Sequence, residues 1–350
     1  MSRRSLALLL ALVAALGLSM SAAVAQVPYV GLGAGPTYDT LGMVDGTPVI
    51  SIAGRRTYPT TGHLDLTTVG VLPELTLLEA LEGWLDPDLA VVPRDVVYPP
   101  DRSEDEIDEA NAASMQLSQD AATTAALRQL GIPVATEVVV HAVTPRAPAD
   151  GRLRPGDVIT SVDGTAVRDS AALRDRVSAR RPGAPVVLGY TRGGKPASTR
   201  LTAGRAPDVD RAIIGVEPRD RADYPFEVTI RLKEVGGPSA GLMFALGIID
   251  KLEPQALTGG RYVAGTGEIR PDGVVGPIGG IAQKLLGARE SGAAFFLTPA
   301  GNCREAAEVV PEGLQLVRVA TLADALEGLR AVREGAPVRG CTSATSSAAG

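Results

Sequence analysis

Alternation and helical spacing of apolar residues divide the chain into segments with different predicted structures. Ile50 to Tyr58 and Gly62 to Val71 are predicted to be β-strands, the second with apolar residues at Leu64, Leu66 and then Val69. From Ala110 to Leu130, Ala, Met and Leu recur at intervals of three and four, which predicts a helix. The carboxylates of Asp101 to Asp108 begin this helix and suit its positive end.

The last third of the chain repeats a unit of strand, Gly-rich turn and helix. Strands are predicted at Phe226 to Leu232, Tyr262 to Ile269, Ala294 to Thr298 and Leu314 to Val319, and helices at 239–250, 280–291, 302–309 and 321–332. This order predicts an α+β or α/β domain.

Between these regions, short strands and turns predict a separate domain from 131 to 204. A helix is predicted at Ser170 to Ala179, followed by a hairpin that turns through Gly193 and Gly194. The segments Ala147-Pro148-Ala149-Asp150-Gly151, Gly156-Asp157-Val158-Ile159 and Val162-Asp163-Gly164 make this stretch similar to bacterial PDZ domains. The resemblance implies peptide binding between the helix and the turn Leu130-Gly131-Ile132, or alternatively a domain that orders an oligomer or covers an active site.

The N-terminal segment is apolar and follows Arg3 and Arg4. Ser5 to Val30 contains no charged residue. It predicts either a signal peptide that ends at Ala23-Val24-Ala25 or a single-pass membrane anchor, with residues 1–30 as this segment. In the first case the protein is secreted; in the second the body lies outside the cytoplasm at the cell membrane, because the positive charges precede the segment.

Composition narrows the classes of function. A hydrophobic content of 45% with 21% charged residues is typical of globular protein, and the net charge of −6 without a Lys/Arg run argues against a nucleic-acid partner. The two cysteines, Cys303 and Cys341, form a disulfide candidate in an exported chain, or are two unrelated thiols. The small-residue stretch 336–350 is predicted to be a flexible tail.

A candidate nucleophile lies at the junction of a predicted strand and helix. Ser239 in Gly237-Pro238-Ser239-Ala240-Gly241 fits G-x-S-x-G, the nucleophile motif of α/β-hydrolases. An esterase of that class needs its histidine after the serine, but His63 and His141 both precede it. His63 remains an alternative base, although its position also fits the start of a strand.

Lysine can replace histidine as the base when burial lowers its pKa, whereas arginine cannot release its proton. The chain has four lysines, Lys195, Lys233, Lys251 and Lys284. Lys195 and Lys251 are predicted to be solvated, and Lys233 remains an alternative near the serine. Lys284 is the preferred candidate because Ile281, Leu285 and Ala288 flank it on a predicted helix. The alternative for Lys284 is a side chain that extends to water.

Two sequence blocks resemble the proteolytic domain of the Lon protease family. These are GGPSAGL at 236–242 and GTGEIRPDGVVGPIGGIAQKLLGARESGA at 265–293. The resemblance implies that Ser239 is the nucleophile and Lys284 the general base, with Thr266, Gly237 and Ala240 supporting the dyad or the oxyanion. Gly236 departs from the family, which usually has an acidic residue there. The nearest stretch to a nucleotide-binding loop, 189–196, has Pro196 where Ser or Thr would bind magnesium, so ATP-independent action is expected.

Together the segments resemble bacterial PDZ-containing Lon-like serine proteases. This predicts an α+β fold: a Lon-type proteolytic domain at 205–335, an inserted β-rich PDZ domain with two helices, residues 31–130 as part of the Lon-type fold, and an N-terminal hydrophobic anchor. The implied function is endoproteolysis of unfolded or flexible proteins, without cofactor or metal, by a homo-oligomer that the family suggests is a hexamer. The alternative is a non-catalytic membrane-anchored PDZ scaffold with a degenerate protease domain.

Overall fold

The computed structural model describes residues 25–207, 209–232 and 235–341, together with 10, 12–14, 16 and 17. The chain divides into two compact units, one formed by Met1–Ile132 with Phe226–Gly350 and the other by Pro133–Pro225. Most of the predicted signal or anchor segment lies outside the described residues, as does the tail from 342. No helix within the described ranges is both long enough and apolar enough to cross a membrane.

Between residues 25 and 132, the first unit contains eight strands and three helices. The strands are β1 Gln26–Val27, β2 Tyr29–Asp39, β3 Met43–Val44, β4 Thr47–Pro48, β5 Ile50–Ala53, β6 His63–Leu72, β7 Leu75–Thr76 and β8 Ala90–Pro93, and the helices are α1 Leu77–Gly83, α2 Arg94–Val97 and α3 Glu104–Gln129. Residues 26, 27, 29 and 30, which the sequence assigned to the N-terminal segment, therefore lie in strands. Local signals begin two of the helices, because Thr76 with Glu79 and Ser103 with Glu106 form capping boxes.

The second unit is a sheet with one helix in its described part, where two helices were expected. Its elements are β9 Ala135–Val143, β10 Val158–Val162, β11 Thr165–Ala166, α4 Ser170–Ser178, β12 Pro185–Arg192, β13 Lys195–Thr202, β14 Gly204–Arg205, β15 Ala212–Ile213 and β16 Val216–Asp223. The main sheet has the order β13-β12-β10-β9-β16. Because β16 pairs with β9 over its whole length, this unit continues past residue 204, where the sequence predicted its end.

Between residues 226 and 341, the described part of the first unit contains six strands and four α-helices. They are β17 Glu227–Ile230, α5 Gly241–Leu252, β18 Tyr262–Gly265, β19 Glu268–Ile269, β20 Val275–Gly276, α6 Ile281–Glu290, β21 Phe295–Pro299, α7 Cys303–Val309, β22 Gln315–Val319 and α8 Leu322–Glu334, with a 3-10 turn at Ala300–Asn302. Strands from both parts form one mixed sheet in the order β22-β21-β18-β6-β2-β8. β22, β21, β18 and β6 run parallel, and β2 is antiparallel to β6.

The core of the first unit surrounds α5. All residues from Gly241 to Asp250 are buried, and the apolar side chains among them form one cluster with residues of α3, the sheet and α8. This explains why the segment is apolar on every side rather than on one face. A disulfide joins Cys303 to Cys341, which confirms the pairing that the sequence offered as a candidate.

Candidate active site

Ser239 lies in the loop that enters α5. Its main-chain carbonyl accepts hydrogen bonds from the Gly267 amide at 2.8 Å and from the Thr266 hydroxyl at 3.0 Å. The Leu242 amide in turn donates to the Gly267 carbonyl at 3.0 Å. These bonds tie the loop to the segment that follows β18, so the position of Ser239 depends on both segments.

Helix α3 holds the same loop from the other side. The Ser118 hydroxyl donates to the Pro238 carbonyl at 2.9 Å, and the Gly237 amide donates to the Asn111 carbonyl at 3.1 Å. The contact is so close that a Cβ on Gly241 would lie 2.7 Å from the Ser118 hydroxyl oxygen. Glycine at this motif position therefore permits the close packing of α3 against the start of α5.

Lys284 is buried on α6, which packs against β2 and β6. Its side chain is only 3% exposed. The Nζ atom lies 2.9 Å from Ser239 Oγ, 3.0 Å from the Thr67 carbonyl oxygen and 3.2 Å from Thr266 Oγ1. The structure thus brings together three of the residues that the sequence singled out, Ser239, Lys284 and Thr266.

The number of hydrogens and lone pairs on each group determines which partner donates in each contact. The Thr266 hydroxyl has one hydrogen, which it donates to the Ser239 carbonyl, so it accepts from Lys284. The Thr67 carbonyl can only accept. A neutral amine has two hydrogens, and these two acceptors use both of them. The nitrogen lone pair is then left for the Ser239 hydroxyl, which donates its proton to Nζ.

Burial lowers the pKa of Lys284 from 10.5 to about 8. The cause is desolvation, which disfavours the charged ammonium form. A substantial fraction of the amine is therefore neutral in mildly alkaline solution. A neutral amine beside a hydroxyl is the arrangement that general-base activation of serine requires.

Two main-chain amides beside Ser239 are available to a ligand. Within the described part of the chain, the amides of Ser239 and Ala240 donate to no acceptor. Gly237, which the sequence also proposed for oxyanion support, differs because its amide donates to the Asn111 carbonyl. Ala240 therefore fits a role in binding an oxyanion, and Gly237 instead helps to position the loop.

A cleft of about 600 Å³ opens beside Ser239 and Lys284. Its walls come from β2, β6, the loop before Ser239 and the segment that leads into α6. The lining residues include Pro36, Tyr38, Thr67, Thr68, Val69, Val235, Gly236, Pro238, Glu268, Pro277, Ile278 and Gly279. Proline, valine and isoleucine side chains line the cleft together with threonine and tyrosine, and this mixture suits an extended peptide better than a small charged molecule.

Among the described residues, the alternative bases Lys195, Lys251 and His63 do not line the cleft. Lys195 is exposed at the start of β13, and Lys233 lies outside the described residues. Lys251 was predicted to be solvated, but it is half-buried, its Nζ lies 3.5 Å from the Leu41 carbonyl, and burial lowers its pKa. His63 begins β6, where its ring stacks on Tyr262. None of the described alternatives lines the cleft.

His63 also belongs to a polar cluster outside the cleft. One carboxylate oxygen each from Asp39 and Asp65 and a ring nitrogen of His63 lie within 4.8 Å of one another. His63 Nδ1 is 3.0 Å from an Asp39 carboxylate oxygen, and the Tyr262 hydroxyl donates to Asp65 at 2.7 Å. Desolvation raises the pKa of Asp65. Two pairwise hydrogen bonds, between His63 and Asp39 and between Tyr262 and Asp65, hold these side chains in place.

The second unit contains a groove of about 400 Å³ beside α4. It is lined by Leu173, Arg174, Asp175, Val177 and Ser178 of α4 and by Arg211 to Val216 with Pro218. Strand β16 is at the edge of its sheet, so its outer side is open to another strand. The amide and hydroxyl of Ser170 bind the Asp220 carboxylate at 2.7 and 2.6 Å, which ties α4 to β16.

The turn proposed for peptide binding is not among the residues that line this groove. Leu130, Gly131 and Ile132 follow the end of α3 and belong to the same compact unit as Ser239. The segment that borders the groove is Arg211 to Val216, which contains Gly215 at φ +73°. The sequence analysis did not include this segment in the peptide-binding site, because the stretch that resembles a PDZ domain ends at residue 204.

Several residues at the site were not predicted. Thr67, Asn111 and Pro238 contribute main-chain carbonyls, and Ser118 contributes a hydroxyl. A main-chain carbonyl leaves no trace in the residue type, so no sequence signal could identify the first three. Ser118 lies on a predicted helix, where it is a polar residue on the buried face. A polar residue among the apolar positions of that helix was the one signal for its role.

Comparison with known proteins gives two family matches. Residues 106–202 match the PDZ domain family, and residues 233–330 match the Lon protease (S16) C-terminal proteolytic domain. The first match begins within α3, whereas the compact second unit begins at Pro133. The chain therefore carries a PDZ domain and a Lon-type proteolytic domain on a mixed α/β structure.

Two curated relatives are Lon proteases, and the chain spans less than a fifth of the length of each. Lon protease 1 of Bacillus subtilis is 33% identical over 119 residues, covering 33% of this chain and 15% of that protein. Lon protease of Azospirillum brasilense is 39% identical over 129 residues, covering 35% of this chain and 16% of that protein. Among solved structures, the PDZ domain of the SdrC-like protein from Listeria monocytogenes is 27% identical, covering 23% of this chain and 85% of that one with a TM-score of 0.23.

Proposed function

We propose that this protein is an ATP-independent serine endopeptidase with Ser239 as nucleophile and Lys284 as general base. The proposal depends on one observation, the 2.9 Å contact between Ser239 Oγ and a buried amine whose other two contacts are acceptors. The matches to Lon proteolytic domains support serine peptidase chemistry in general.

The proposed reaction has two stages. Ser239 Oγ attacks the peptide carbonyl carbon while its proton moves to Lys284 Nζ, and the amides of Ser239 and Ala240 bind the oxyanion. Collapse of the tetrahedral intermediate breaks the C–N bond, and the Lys284 ammonium gives its proton to the leaving amine. In the second stage, neutral Lys284 takes a proton from water, which attacks the acyl ester, and Ser239 recovers its proton. Thr266 and the Thr67 carbonyl position Nζ throughout.

The proposed substrates are unfolded or flexible protein segments. An extended segment can follow the cleft and pair with main-chain groups along its walls, whereas a folded domain presents few such segments. For the PDZ domain we propose binding of an extended peptide beside the open edge of β16, supported by the groove next to α4. Binding of labelled peptides with free and amidated C termini to the full chain tests this role.

We also propose that residues 5–24 anchor the protein and that its body lies outside the cytoplasm. The uncharged segment behind Arg3 and Arg4 supports the anchor. The disulfide between Cys303 and Cys341 supports an oxidising compartment, because disulfides rarely persist in the cytosol. Retention in the membrane after alkaline carbonate washing separates an anchored protein from a secreted one.

Cleavage of casein by the full chain, with and without ATP, tests the enzymatic proposal. Ser239→Ala and Lys284→Ala are each expected to lower the rate by roughly 10³-fold or more with the fold retained. Lys195→Ala is the matched control, because this lysine is exposed in the other unit. Cleavage that survives Lys284→Ala would move the base to another residue. An inactive parent protein would favour the non-catalytic scaffold.

A further inference from the structure

Helix α1 directs its large apolar side chains away from the protein. Ala80 and Gly83 are its buried residues, whereas larger side chains lie on the opposite side. We define the apolar face of α1 as Leu77, Leu78 and Leu81 of the helix together with Trp84 and Leu85 of the turn that follows it, and these side chains are 38%, 48%, 47%, 53% and 87% exposed. At 100° per residue the positions of Leu77, Leu78, Leu81 and the helical cap residue Trp84 fall within about 120° of the helix circumference, so they form one stripe, which Leu85 extends into the turn. A soluble helix normally buries such a stripe.

The start of α1 is hydrogen-bonded to the end of the apolar N-terminal segment. The Leu77 amide donates to the Ala25 carbonyl at 2.9 Å. The next two residues form β1, which pairs with β7, the strand immediately before α1. The point at which the chain leaves the apolar segment is therefore held against the first turn of α1.

This connection limits how far α1 can be from a membrane that anchors the chain. Residues 5–24 are uncharged, and about 20 apolar residues span the hydrocarbon layer of a bilayer. Helix α1 has seven residues and a length of about 10 Å. The headgroup layer on each side of the hydrocarbon is roughly 5–7 Å thick. With Ala25 at the bilayer surface, the apolar face of α1 is within reach of that layer.

We infer that the apolar face of α1 lies in the headgroup layer of the membrane that residues 5–24 anchor. The inference rests on the anchoring proposed above and goes beyond it, because it assigns a second lipid contact to the folded body. Trp84 and Tyr29 pack edge to face with their ring centroids 5.6 Å apart, and Trp and Tyr side chains are enriched at the membrane interface.

Nearby charges determine the lipid chemistry. Glu79 and Glu82 lie on α1, and Asp86 and Asp88 follow it. These carboxylates do not favour an anionic surface, so burial of apolar side chains drives the contact rather than charge attraction. The surface therefore fits zwitterionic lipid, and the contact is expected to be insensitive to salt.

Trp84 provides the measurement, because it is the one tryptophan among 350 residues. The full chain is reconstituted into phosphatidylcholine vesicles with plain or brominated acyl chains, and flotation reports anchoring separately. Bromine near the headgroups is expected to quench about half or more of the Trp84 emission, with little change in high salt. Leu85→Gln should reduce quenching, while Leu117→Gln, at a 67% exposed position on α3, should leave it unchanged.

Each other outcome overturns the inference in a distinguishable way. Protein that does not float refutes the anchoring and this contact together, while casein cleavage still reports the enzyme. Protein that floats with Trp84 unquenched and open to iodide shows that α1 faces water. Unquenched emission that is shielded from iodide only at high protein density shows that a second copy covers α1.

Discussion

The neutral fraction of Lys284 predicts how the rate of peptide cleavage changes with pH. Burial lowers the pKa of this lysine to about 8, and the neutral amine is the form that accepts the Ser239 proton. The neutral fraction is then about 9% at pH 7, about 50% at pH 8 and about 91% at pH 9. We expect kcat/KM to rise about tenfold from pH 7 to 9 and then level off.

A lysine with its ordinary pKa of 10.5 would give a different curve. Its neutral fraction would increase roughly 100-fold from pH 7 to 9 and would continue to rise at pH 10. The position of the plateau therefore measures the effect of burial. The slope below the midpoint, close to one log unit per pH unit, reports a single deprotonation.

The assay uses initial rates on a capped, quenched-fluorescence peptide whose side chains do not titrate between pH 6 and 10. The full chain is measured below saturation, so that the curve reports the free enzyme. Lys195→Ala serves as the control and should reproduce the parent curve. A flat profile, a midpoint near 6.5 as expected for histidine, or an unbroken rise to pH 10 would each refute the assignment of a buried lysine base.

Three further changes test the same structure. Thr266→Val removes an acceptor that favours the ammonium form, so the midpoint should fall below 8 and the rate should drop about tenfold, as the pH profile would show. Lys284→Met should abolish cleavage. Between pH 8 and 10.5 the folded parent binds fewer protons at Lys284 than the unfolded chain, so the free energy of unfolding of the parent rises with pH. In urea unfolding, the free energy of unfolding of the variant relative to that of the parent should therefore fall by about 3 kcal/mol over this range. Cys341→Ser opens a disulfide across 38 residues and should lower the free energy of unfolding by about 4 kcal/mol, with no further loss when reductant is added.

Local elements were predictable because their signals are short in range. The hairpin predicted around Gly193 and Gly194 is the pair β12 and β13, and the helix predicted at Ser170 to Ala179 is α4. Alternation, helical spacing and glycine turns depend on neighbours in the chain, so the sequence alone determines them. The motif around Ser239 is similarly local.

The boundary of the second unit was not predictable in this way. Strand β16 joins that unit by pairing with β9, more than seventy positions earlier in the chain. Nothing in its charged, alternating sequence specifies that partner. The open edge of β16 and the groove beside α4 both depend on this pairing. Because the pairing was not predictable, the sequence analysis placed the peptide-binding turn at Leu130 to Ile132 instead.

At the site, the sequence by itself determined which side chains could act: a serine in a glycine-rich turn, and a lysine on an apolar helix face. Only the tertiary structure decided that Lys284 lies against Ser239, 45 positions away, and against the carbonyl of Thr67, 217 positions away. The physical reason is that desolvation and hydrogen-bond occupancy depend on how distant segments pack. These two quantities, rather than residue type, convert an ordinary lysine into a base.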